Sequence, residues 1–217
     1  MQIRNAIFDL DGTLIDSMPI WRGIQVDAME QSSGLKLTPS ERQLCLHYPY
    51  FEAIRKLGDA FAAQCDLEDV YRISMERMTK NYQTGAIALK PYAREYLTYL
   101  KAHGCGVALS TATPKEMCVT YLKIMGIYDL FDCIYTEDDV KASKSQSSAV
   151  YDASLNALGG TKENTAVFED TLFCIRTCKK NGYYTVAVAD SITAPEHWEE
   201  IQTLADRLIH SYKEMMV

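Results

Sequence analysis

Asn5-Ala6-Ile7-Phe8-Asp9-Leu10-Asp11-Gly12-Thr13-Leu14-Ile15-Asp16-Ser17 is the stretch from which the rest of the chain is read. The apolar run Ala6-Ile7-Phe8 stops at two aspartates separated by one residue, with Gly12 and Thr13 behind them. A short apolar run closed by glycine and polar residues predicts a buried strand entering a turn. Asp9 and Asp11 then stand at the carboxyl end of that strand, the edge where open α/β sheets bind ligands. Alternate side chains of an extended segment point the same way, so the two carboxylates face one small volume. Close carboxylates perturb each other's titration unless a cation intervenes. Mg2+ suits such a pair, because it prefers carboxylate oxygens and keeps places for water and phosphate. One aspartate then fits the nucleophile of aspartyl-phosphate chemistry, and the other a proton carrier. Taken alone, Asp-x-Asp-Gly reads equally well as an ordinary strand-to-helix turn.

Bulk properties narrow the class. The 217 residues are 47% hydrophobic with a net charge of -7. That length holds one sizeable core, or a core with a small accessory unit. No basic stripe is present, so nucleic acid and anionic membrane are excluded as expected partners. No apolar run approaches the roughly 18 residues that span a bilayer, and no leader pattern precedes the first strand. A cytoplasmic protein, monomeric or weakly dimeric, is expected. The seven cysteines form no Cys-x-x-Cys pair and read as reduced thiols.

From Asp16 the pattern becomes helical. Met18, Ile20, Trp21, Ile24, Ala28 and Met29 mark an amphipathic helix over 18–32, and Gly34 ends it. Thr38-Pro39-Ser40-Glu41 is a capping-box start. Further helical periodicity covers 51–57, 59–65 and 67–82, with no strand among them. Residues 16–88 therefore read as an inserted helical cap, and 1–15 with 89–217 as the α/β core. A helical insertion after the first strand hangs over its carboxyl end as a lid. Arg22, His47, Tyr48 and Tyr50, with Arg55 and Lys56, are its candidate substrate-facing residues.

Downstream, the apolar run 105–109 predicts a central parallel strand, ending in Ser110-Thr111-Ala112-Thr113-Pro114 before a helix. A hydroxyl beside a helix start can donate to phosphate, though Ser and Thr are also ordinary caps. Residues 131–135 form another strand, then comes Val140-Lys141-Ala142-Ser143-Lys144-Ser145. Asn164 to Phe168 is a strand ending in Glu169-Asp170-Thr171, and 184–188 is a further one. Asp190 and an expected single helix over 195–216 read as structural, and His197 and His210 have no evident partner.

In order and spacing these segments resemble the four motifs of the haloacid dehalogenase-like superfamily. Asp9-Leu10-Asp11-Gly12-Thr13 resembles the first motif, Ser110-Thr111-Ala112 the second, the 141–144 lysines the third and Phe168-Glu169-Asp170-Thr171 the fourth. The resemblance implies a doubly wound, Rossmann-like parallel α/β core with an all-helical cap. It implies Asp9 as nucleophile and Asp11 as acid/base. Thr111 and the backbone at Ala112 would hold the phosphoryl group; Ser110 is the alternative one residue away. Lys144 would offset its charge, with Lys141 as runner-up, because the Lys-Pro-x-Pro-Asp run of many relatives is replaced here by Ser145-Gln146-Ser147-Ser148. Magnesium would sit on Asp9, Asp11, Asp170 and Glu169. An acid two residues after the nucleophile is generally lacking in the superfamily's dehalogenases and phosphonate hydrolases, so a phosphomonoester is favoured. The expectation is a magnesium-dependent phosphatase of a small phosphorylated metabolite. A β-phosphoglucomutase-like sugar-phosphate mutase is the alternative, and a non-catalytic binding module the remaining one.

Overall fold

The computed structural model describes residues 3–216. Met1, Gln2 and Val217, at the outer ends of the expected core segments, lie outside the described residues. Strands β1 (Asn5–Phe8), β2 (Gly106–Thr111), β3 (Cys133–Thr136), β4 (Thr165–Glu169), β5 (Tyr184–Val188) and β6 (Arg207–Ile209) form, among the described residues, one six-stranded sheet. Its order is β3-β2-β1-β4-β5-β6, and every pairing is parallel. The helices are α1 (Met18–Ser33), α2 (Pro39–His47), α3 (Tyr50–Leu57), α4 (Asp59–Ala62), α5 (Leu67–Thr84), α6 (Ala93–Ala102), α7 (Lys115–Ile124), α8 (Glu137–Val140), α9 (Ala149–Ala157), α10 (Leu172–Lys180) and α11 (Pro195–Leu204).

The alternation of β1 explains the two-sided core. Ala6 and Phe8 pack with Tyr96 and Leu97 of α6 and Tyr121 and Leu122 of α7. Ile7 faces the other way, with Val150 and Tyr151 of α9 and Cys178 of α10. All seven cysteines lie among the described residues as free thiols. A separate apolar cluster joins Met29 of α1, Cys45 of α2, Ile54 of α3 and Ile73 of α5, so the helical cap has its own core. Thr38 and Glu41 make both capping-box hydrogen bonds at the start of α2. The chain leaves and re-enters the sheet side by side: Lys90 N–H donates to Leu14 O (2.8 Å) and Asp16 N–H to Ala88 O (2.9 Å). Among the described residues no helix is long and apolar enough to cross a membrane.

The expected single helix over 195–216 is corrected. Helix α11 stops at Leu204, and Arg207–Ile209 pairs in parallel with β5. The Asp206 carboxylate accepts the Thr185 N–H (2.8 Å) and the Lys179 ammonium (2.6 Å). Together with burial of Ile209, this draws the chain back to the sheet edge. His197 and His210 do have partners. The His197 ring stands edge-on to Tyr48 and Phe173, and His210 packs on Trp198.

Candidate active site

Register brings the acidic strand ends together. Phe8 is level with Leu109 on β2 and with Phe168 on β4, so Asp9 and Glu169 leave the sheet at the same height. Asp170 and Thr111 come one step later on the two flanking chains. Carboxylate oxygens of Asp9, Glu169 and Asp170, all buried, lie within 4.8 Å of one another. Gly12 makes this approach possible. Its φ of +80° is left-handed, and a Cβ there would overlap the Asp170 carboxylate.

Lys144 enters from the loop before α9. Its ammonium is 2.5 Å from Asp9 Oδ1 and 2.7 Å from Glu169 Oε1. Burial disfavours the charged lysine, yet Asp9 and Glu169 outweigh it and hold Lys144 well above its usual range. Lys141 caps α8 in a left-handed turn and is exposed. Tyr151 donates to Glu169 Oε1 (2.6 Å), whereas Glu169 Oε2 is buried with no hydrogen-bond partner.

One lysine does not balance three buried acids. Burial raises the Asp9 carboxyl well above the carboxylate range; Lys144 opposes this, and Glu169 and Asp170 push it further. Burial, reinforced by Glu169 and Asp190, brings Asp170 to about 8. An unpartnered carboxylate oxygen among close acids that resist ionising is the donor set a divalent cation satisfies. Thr13 Oγ1 steadies Asp170 by donating to Oδ1 (3.1 Å).

Asp11 turns away from this trio into a cage of donors. Ser17 Oγ (2.6 Å) and Trp21 Nε1 (2.9 Å) donate to Oδ1, as does the Tyr82 hydroxyl, and Thr113 Oγ1 donates to Oδ2 (2.5 Å). Trp21 and Tyr82 carried no signal of this role in the sequence, where they read only as helical packing. Thr113 stands two residues beyond Thr111, so extended-chain alternation offered a hint.

The other candidates fall in different places. Thr111 is buried, and its hydroxyl accepts the Thr113 N–H (3.1 Å). The Ser110 hydroxyl is spent on Val150 O and Ser154 against α9. Ala112 and Tyr50 line a cavity of about 390 Å³ above Asp11 and Lys144. Arg22 lines a smaller crevice with His47, Asp170 and Asp190; burial lowers it to about 10, and its Nε has no partner. His47 and Tyr48 meet the core outside the 390 Å³ cavity. His47 Nδ1 bonds Ile192 O (3.1 Å), which requires its proton on Nδ1, and Tyr48 donates to Glu196. Asp190 pairs with Lys90 (2.7 Å).

Residues 6–188 match the haloacid dehalogenase-like hydrolase family. The chain is similar to the pyrophosphatase PpaX of Halalkalibacterium halodurans, 27% identical over 91% of this chain and 88% of that protein. It is similar to a phosphorylated carbohydrates phosphatase of Thermotoga maritima, 26% identical over 82% and 81% of the two chains. Its fold resembles that of a putative phosphoglycolate phosphatase from Lactobacillus plantarum, with a TM-score of 0.79 at 15% identity, covering 100% and 99%. With a family match over most of its length and the acidic trio at its strand ends, the chain belongs to the haloacid dehalogenase-like hydrolases.

Proposed function

We propose that this hydrolase is a magnesium-dependent phosphatase that cleaves a small phosphomonoester through an aspartyl-phosphate on Asp9. The observation that carries the reading is the convergence of Asp9, Glu169 and Asp170 within 4.8 Å, with Lys144 against Asp9 and Asp11 caged beside them. The relatives named as phosphatases support the reaction class.

Asp9 Oδ attacks phosphorus, and an Asp9–phosphorus bond forms as the bond to the ester oxygen breaks. The departing oxygen keeps that electron pair and takes the proton of the Asp11 carboxyl. Water then attacks the phosphoryl group, Asp11 accepts its proton, and the Asp9 carboxylate is released. Lys144 shifts from pairing Asp9 and Glu169 to bridging the Asp9 carboxylate and the phosphoryl oxygens, while the Thr111 hydroxyl and the Ala112 amide orient the group. Asp9, Asp170, the Asp11 carbonyl and Glu169 would hold Mg2+, which when bound supplies charge neutralisation for phosphoryl transfer.

The test is phosphate release from 4-nitrophenyl phosphate with and without Mg2+. Magnesium-dependent turnover that disappears in Asp9→Asn is expected. Conversion of β-glucose 1-phosphate with no phosphate released would overturn the reading in favour of a mutase.

A further inference from the structure

The cavity above Asp11 has a chemistry of its own. Asp11, the proposed proton donor to the leaving group, and Lys144 both line it. Its walls are Met18, Trp21, Tyr50, Phe51, Tyr71 and Met75, from three cap helices. Phe51 and Tyr71 are each 53% exposed, large apolar surfaces that a globular domain normally covers. At about 390 Å³ the cavity is within the usual range for a small-molecule site, which is mostly apolar with a few polar groups.

Two further features define what fits. Among the described residues Lys144 is the only cation lining the cavity, and it already faces Asp9 and Glu169. Glu137 lines the same wall, so a second anion on the substrate meets an acid and no free countercharge. Ser74, 2% exposed as a residue, also lines it, and its buried hydroxyl has no hydrogen-bond partner in the protein. Gln25, Thr113, Ser143 and Ser145 line it too, but each has a hydrogen-bond partner in the protein, which leaves the Ser74 hydroxyl as the polar group of the wall still wanting one.

Resting on the phosphatase reading, we infer that the leaving group is an uncharged aromatic alcohol, its ring held between Trp21, Tyr50, Phe51 and Tyr71 and one polar substituent on Ser74. Aromatic rings offset-stack and meet edge-to-face in such a wall. A carboxylate or second phosphate meets no uncommitted cation among the described lining residues and loses its hydration. The substrate class is therefore an arylmethyl or heteroaryl-methyl monophosphate, which sets this chain apart from a relative named for pyrophosphate.

The experiment compares kcat/KM for benzyl phosphate, ethyl phosphate, 2-phosphoglycolate and pyrophosphate, with Asp9→Asn as the blank. Benzyl and ethyl phosphate have leaving groups of similar basicity, so their ratio reads the ring. We expect benzyl phosphate to exceed each of the others by at least about tenfold, a modest share of what burying a phenyl ring yields. The double variant Phe51→Ala/Tyr71→Ala, at half-exposed positions that tolerate truncation, should bring the benzyl-to-ethyl ratio close to one. Asp9-dependent turnover that favours 2-phosphoglycolate or pyrophosphate would overturn the aromatic assignment alone, as would a ratio unchanged in the double variant. Asp9-independent turnover, or none, overturns the phosphatase reading and this assignment with it.

Discussion

Tyr82 donates its hydroxyl to Asp11 across 71 residues of sequence, so a cap helix holds the proposed proton carrier of the core. Tyr82 is buried, and burial with the adjacent Asp11 keeps its hydroxyl protonated far above the usual range, always able to donate. Tyr82→Phe keeps the ring and removes one of four donors. Acid catalysis as a whole contributes about 10²–10⁴, so a loss of about tenfold in kcat on benzyl phosphate is expected, with KM little changed. The loss should be much smaller on 4-nitrophenyl phosphate, whose leaving group needs no proton. Equal losses on both substrates would mean that Tyr82 only packs.

Lys144→Ala leaves Asp9 and Glu169 buried without their shared countercharge. Removing one partner of a buried pair destabilises by about 3–5 kcal/mol, measured by urea unfolding at pH 8 without Mg2+. Turnover should be lost as well. Lys141→Ala, at an exposed position, should change stability by less than about 0.5 kcal/mol. The reverse order would exchange the two lysines' roles.

Stability should carry the signature of the acidic trio. Without metal, the native Asp170 carboxyl titrates at about 8, above its unfolded value. Between the unfolded aspartate value of about 3.9 and 8, the native state binds more protons than the unfolded one. Stability is therefore fullest below that lower value and falls as pH rises through the window. Mg2+ should remove this slope. At about 100 times its Kd a native-state ligand adds about 2.7 kcal/mol, and a chain of this size gains about 2–4 °C per kcal/mol. Thermal melts in EDTA and in Mg2+ at pH 5 and pH 8 test this, with the larger rise expected at pH 8. Asp170→Asn should flatten the slope to the part that Asp9 contributes and remove most of the rise; a Tm indifferent to Mg2+ at pH 8 would refute the assignment.

Gly12→Ala places a methyl in the Asp170 carboxylate and 2.8 Å from Met18 Cγ, at a backbone angle that side chains avoid. A destabilisation of about 1–3 kcal/mol is expected from the strain alone. Calorimetric titration should register Mg2+ binding weakened beyond that of wild type, because the displaced carboxylate is a proposed ligand. Unaltered binding would separate the turn from the metal site.

What sequence reading reached and missed follows from distance along the chain. Strands β1, β2, β4 and β5 are buried on both faces, so each has a largely apolar centre, with Thr185 the one polar interruption. The acids that converge sit at the ends of those runs, where local patterning exposes them. β6 escaped because it is a three-residue edge strand with Arg207 exposed, and no Gly or Pro separates it from α11. The cage around Asp11 escaped for another reason. Ser17 is in the opening stretch, but Tyr82 and Trp21 sit on helices whose periodicity reports only which face is apolar. Which hydroxyl of that face reaches which carboxylate depends on how the cap lies on the core. His47 and Tyr48 likewise read as cleft residues by type, and the packing of α2 turns them onto the 192–196 segment instead.

The Tyr212 hydroxyl donates to the Thr13 carbonyl (3.1 Å), and its N–H to Pro91 O (3.1 Å). The turn holding both aspartates is thus braced by a residue translated 199 positions after it. A nascent chain carries that turn out of the ribosome long before its brace, and before β4 brings Glu169 and Asp170. The acids consequently meet only after β4 has been synthesised, which makes their convergence a late, high-contact-order step of assembly. Half-made chains are thus spared a crowded, uncompensated cluster of buried charge.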